Sequence, residues 1–146
     1  MRLLALDVGE RRIGVAACDE TGLIASPLQV IRRTSKVDDF RKIARLVRDQ
    51  EVEGLVVGYP LNDDGSAGPQ ARSVERYVAA LRSALEDHEL TLEVVLWDEY
   101  MSTQRAQTVL IETGRKVAKR RDWIDAVAAA VILQDYLDEQ RGALRP

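Results

Sequence analysis

Apolar and polar positions fall along this chain in blocks whose periods predict most of its elements. Residues 2–8 are almost continuously apolar before Gly9, which predicts a first strand. Arg12 to Ala17 is rich enough in β-formers for a second strand, and Gly22 offers a turn into a third over Leu23–Ile31. The period then changes. From Ser35 onward Val37, Phe40, Ile43, Ala44 and Val47 recur on one helical stripe, with Arg41, Lys42, Arg45 and Arg48 largely off it. Gly54–Gly58 lacks polar alternation and reads as a short buried strand. Tyr59–Pro69 is the longest turn-rich segment and leads into a helix striped by Val74, Val78, Leu81 and Leu85. Leu92–Trp97 predicts another strand. Ser102 is placed to cap a helix running to Ile111, and Gly114 to stop it. A last helix is expected over Asp122–Gln140, with Asp122 at its start, where an acid favours the helix dipole. Three opening strands followed by alternating helices and strands indicate an α/β fold with a sheet of mixed direction. No repeat or linker divides residues 1–146, so one domain is expected.

Three acids break this pattern. Asp125 lies inside Trp123–Leu133, where every other residue is apolar, and a helix that apolar is ordinarily buried. Asp7 closes the run Leu3–Leu6, and Asp98-Glu99 closes Val94–Trp97. In open α/β sheets, sites gather beyond the carboxyl ends of strands, where Asp7 and Glu99 belong. Asp98 and Glu99 are adjacent and point to opposite sides of an extended chain, so only one of them faces the site. Buried charges are avoided unless paired, and a divalent metal is a counter-charge that three carboxylates could share. Two Mg²⁺ or Mn²⁺ ions about 3.5–4 Å apart can serve both the attacking and the leaving oxygen of a phosphodiester.

A net charge of −3 argues weakly against a nucleic-acid partner, but the distribution overrides the average. Arg115, Lys116, Lys119, Arg120 and Arg121 crowd together just before Asp125, and Arg11 and Arg12 follow Asp7. Basic residues beside an acid cluster suit a phosphate backbone. Cys18 is the single cysteine, which excludes an internal disulfide and a cysteine zinc site and leaves a small core thiol as its plain role. His88, in a charged segment, reads as a solvated loop residue rather than a general base. No signal peptide is legible and no apolar run reaches membrane-spanning length, so a cytoplasmic protein without a membrane partner is expected.

The segments Leu4–Ala16, Val57–Gln70, Asp98-Glu99 and Ile124–Ala129, in that order, resemble the YqgF/RuvX family. That family belongs to the ribonuclease-H-like nucleases and is similar to the RuvC Holliday junction resolvases. The resemblance implies a central five-stranded mixed sheet flanked by helices. It also implies a metal-dependent nuclease whose catalytic and metal-binding acids fall on Asp7, Glu99 and Asp125, served by Mg²⁺ or Mn²⁺. Implied substrates are the 5′ end of precursor 16S ribosomal RNA or a four-way DNA junction; symmetric junction cleavage would require a homodimer. The chain departs from the family at Tyr100-Met-Ser-Thr103, where an Arg ordinarily follows the Asp-Glu pair. The loss puts one basic contact in doubt, and Tyr100 could stack on a base instead. Two other readings stand beside this one: a non-catalytic module that binds nucleic acid or protein, and a fragment of an actin-like ATP-dependent phosphotransferase, suggested by Asp7-Val-Gly9.

Overall fold

The structure is a computed structural model that describes residues 2–98 and 117–143, with side chains of the last segment described from Trp123 to Gly142. Five strands form one sheet in the order β3-β2-β1-β4-β5. They are β1 (Leu3–Val8), β2 (Arg12–Cys18), β3 (Ala25–Arg32), β4 (Gly54–Tyr59) and β5 (Glu93–Asp98). β1, β2 and β3 run as an antiparallel meander, whereas β4 and β5 lie parallel to β1. Helices α1 (Lys36–Asp49) and α2 (Pro69–Asp87) connect β3 to β4 and β4 to β5, and α3 (Val117–Ala143) follows.

Strand alternation divides the interior into two layers. Leu4, Leu6, Ile13, Val15, Leu55 and Val57 point to one side, where they pack with Phe40, Ile43 and Val47 of α1 and Val74, Val78 and Leu81 of α2. Their neighbours Leu3, Ala5, Ala16, Cys18 and Val56 point to the other side, against Ala129, Ile132, Leu133 and Leu137 of α3. The second layer is built from smaller residues, which lets α3 lie close to the sheet. The Cys18 thiol belongs to this layer and accepts the Leu3 N–H at 3.1 Å.

Several boundaries differ from the sequence expectation for local reasons. β3 begins at Ala25 rather than Leu23, because Asp19 closes the preceding turn: its Oδ1 accepts the Leu23 and Ile24 N–H groups and the Thr21 hydroxyl. Leu23 and Ile24 are consequently exposed. Ser35 caps α1, accepting from the Asp38 N–H at 3.2 Å. Val37, placed on the buried stripe by its spacing, is 68% exposed, and Asp39 occupies the stripe instead. The stripe is centred on Ile43 and Val47, and Val37 lies at its margin in the first turn. α3 already spans Val117, so Asp122 sits more than a turn inside it and is not a helix-start residue. His88 is the C-cap of α2 rather than a free loop residue; its carbonyl accepts Arg48 Nη2 at 2.7 Å. The helix expected between Ser102 and Gly114 lies outside the described residues.

Candidate active site

Asp7 is half-buried near the carboxyl end of β1, directly across the antiparallel pairing from Gly14 of β2. Residues opposite one another in such a pair project from the same face, with Cβ positions about 4.5–5.5 Å apart. The face is that of α3, since Leu3 and Ala5 precede Asp7 in the same alternation. Gly14 fixes what lies there. A Cβ on it would stand 1.8 Å from the Asp125 carbonyl oxygen and 2.9 Å from the Ala126 nitrogen. The backbone of α3 at Asp125 therefore rests on the bare Cα of Gly14, the residue paired with Asp7.

Arg12 shares this face, two residues before Gly14. Its Nε donates to Asp125 Oδ2 at 2.8 Å, with both side chains partly exposed. An ion pair so open to solvent contributes about 0–1 kcal/mol to stability. Its importance is electrostatic: the anomalous acid of α3 already faces a cation. Arg11 is exposed in the β1–β2 turn, and its carbonyl accepts the Arg33 N–H at 2.8 Å. Lys119, Arg120 and Arg121 lie in the first turns of α3, their side chains outside the described set. Glu99, Tyr100, Arg115 and Lys116 also lie outside the described residues.

On β5, Trp97 turns toward α3, donating Nε1–H to Asp135 at 3.2 Å and meeting Tyr136 edge-on. Asp98 therefore points the other way, in register with Tyr59 of β4. Tyr59 donates to Glu75, a bond that holds its phenol above the ordinary tyrosine pKa. Oxygen-only donors on one face suit a hard divalent cation. Among the described residues no cluster of three His, Cys, Asp or Glu forms, so Asp7 and Asp125 fit such an ion only with a further oxygen donor.

A second group of residues supports the turn after Asp7, and the sequence reading passed over it. Arg33 Nη1 donates to the Gly9 carbonyl at 2.7 Å, and its guanidinium lies 4.8 Å above the Tyr77 ring. Asp39 is 1% exposed, accepts the Thr34 N–H at 3.1 Å and faces Arg33 Nε at 3.8 Å. The signal was available: Asp39 stands four residues before Ile43 on the core stripe of α1, the same kind of anomaly that marked Asp125.

A family model described as RuvX, Holliday junction resolvase, matches residues 1–139. A protein of Thermoanaerobacter pseudethanolicus named "Putative pre-16S rRNA nuclease" is 43% identical over 97% of this chain and 99% of its own length. One of the same name from Syntrophus aciditrophicus is 46% identical over 94% and 89%. Among solved structures, Thermus thermophilus RuvC in complex with a Holliday junction substrate aligns over 97% of this chain and 96% of its own, with TM-score 0.56 at 18% identity. Fowlpox virus resolvase with junction DNA covers 96% and 99%, with TM-score 0.57 at 11% identity. At such low identities these two show the fold, which is ribonuclease-H-like. Matched by the family model over nearly its whole length and by relatives above 40% identity, the chain belongs to the RuvX family.

Proposed function

We propose that this chain is a metal-dependent endonuclease that hydrolyses phosphodiester bonds in structured nucleic acid. The observation that carries the reading is that the Asp125 backbone lies over Gly14, the residue paired with Asp7 near the carboxyl end of β1. The names of the relatives and of the family model extend it to two substrate classes, precursor 16S rRNA and the Holliday junction. Of these, precursor RNA is the first to test, because the relatives above 40% identity carry that name.

In this reading Asp7, Asp125 and Glu99 would hold Mg²⁺ or Mn²⁺, which would supply activation of a water and charge neutralisation at the phosphodiester. The protein's part is positional. β1 fixes Asp7, and the contact of α3 with Gly14 fixes Asp125. Arg12 balances the Asp125 carboxylate on one side and, 39% exposed, would offer its remaining N–H groups to a phosphate oxygen of the substrate. Arg11 and the basic start of α3, with Arg115 and Lys116 before it, would steer the strand toward the acids.

The test compares wild-type protein with Asp7→Asn and Asp125→Asn on precursor 16S RNA and on a four-way DNA junction, with Mn²⁺ or Mg²⁺. Both substitutions should reduce cleavage by at least a hundredfold while circular dichroism shows an unchanged fold. Full cleavage by both variants would refute the assignment.

A further inference from the structure

On the opposite face of the sheet from Asp7, a cleft of about 560 Å³ opens between the β1–β2 turn and the starts of α1 and α2. Its walls carry Arg33, Lys36 and Arg76 against one carboxylate, Glu10. The two helix starts differ. α1 has Ser35 as its cap and Asp38 and Asp39 in its first turn, so its positive end is answered. α2 begins Gly68-Pro69-Gln70 with no side-chain cap and no acid in the first turn, and Pro69, Gln70 and Ser73 line the cleft. Tyr77, one of the lining residues, is 4% exposed, and its hydroxyl has no hydrogen-bond partner among the described residues. Buried hydroxyls are ordinarily hydrogen-bonded, and an orphaned one beside a cationic cleft points to a missing acceptor.

We propose that this cleft is a phosphate-binding site, separate from the Asp7–Asp125 face, that holds a phosphate of the substrate strand displaced from the bond to be cut. Lys36 and Arg76, with Arg33 shared with Asp39, an uncapped helix start and a hydroxyl donor are complementary to a tetrahedral oxyanion. Val8 and Gly9 line the cleft immediately after Asp7, so a strand crossing the end of β1 reaches both faces. Only the strand assignment rests on the nuclease reading; the phosphate chemistry does not.

Binding measured in EDTA keeps the two apart. Fluorescence anisotropy with a labelled single-stranded RNA of about ten nucleotides would compare wild-type protein, the double variant Lys36→Gln/Arg76→Gln, and Tyr77→Phe, which preserves the ring packing. The double variant should bind at least tenfold more weakly at low salt. Its plot of log affinity against log salt should flatten by about 1.4, the loss of two single-strand phosphate contacts. Tyr77→Phe should weaken binding severalfold. Inorganic phosphate, followed by amide NMR, should shift Gln70 and Ser73 in the wild type and not in the double variant. If phosphate shifts those amides but RNA binding ignores the double substitution, the cleft takes a small phosphate and the strand assignment falls. If neither probe responds, the site itself is overturned. Full Mn²⁺-dependent cleavage by Asp7→Asn, measured separately, would defeat the nuclease reading and leave the cleft standing.

Discussion

Gly14 is the residue on which the candidate site turns, because it sets how near α3 comes to the sheet. In Gly14→Ala the new methyl would meet the Asp125 carbonyl at less than the length of a hydrogen bond, so the helix must lift. Overpacking of this kind costs about 3 kcal/mol. Urea unfolding should show that loss, and metal-dependent cleavage should fall further than stability alone explains, since Asp125 moves with the helix. An unchanged unfolding midpoint would mean that α3 does not rest there. At this scale the sequence disclosed the acids but not their company. Asp7 and Asp125 were visible as charges in apolar runs. Arg12 lies 113 residues from Asp125, and no local period can report a pairing made by tertiary contact.

Elements were legible where one period governed them. The core stripe of α2 emerged as read, and β4 and β5 appeared within one or two residues of their expected limits. The start of α3 did not, because Asp122 has the composition of a cap while the preceding residues are also good helix formers. The contact between α1 and α2 yields a pH prediction. Tyr77 packs edge-on against Phe40, and its phenol is held well above the ordinary value of 10.0, first by burial and then by the negative charge of Asp39, with Arg33 acting in the opposite sense. Its raised folded pKa means that the unfolded chain loses the proton first. The associated stability is complete below pH 10 and declines as pH rises beyond it. Denaturant midpoints taken from pH 9 to 11 should fall more steeply in the wild type than in Tyr77→Phe. Parallel curves would show that the phenol is not responsible.

For the molecule as a whole, the mixed sheet flanked by helices was expected, and the structure and the solved structures of like fold agree with it. The legible part was the order of periods along the chain. The part that was not legible was which face each helix covers, because that depends on how connections cross the sheet. A ligand of the folded state alone raises its stability by mass action, about 2.7 kcal/mol at a hundred times the dissociation constant. Mn²⁺ should therefore raise the melting temperature of the wild type by a few degrees and leave Asp7→Asn and Asp125→Asn unmoved. An equal rise in all three proteins would place the ion elsewhere.

One feature of α3 bears on how the protein is made. This helix packs along β1, β2, β3 and β4, and its far half clasps the β2–β3 turn: Gln134 accepts from the Ala25 N–H, and Gln134 and Arg141 both donate to the Leu23 carbonyl. The described elements that precede it can form their α1/α2 layer first, during translation. The opposite side of the sheet, with Leu3, Ala5 and Asp7, is covered among the described residues by α3, which comes only when residues 117–143 have left the ribosome. Asp125 arrives only with that helix. On the proposed site assignment, a nascent chain still tethered within α3 would carry Asp7 without Asp125, and cleavage would be withheld from the very ribosome that is synthesising it.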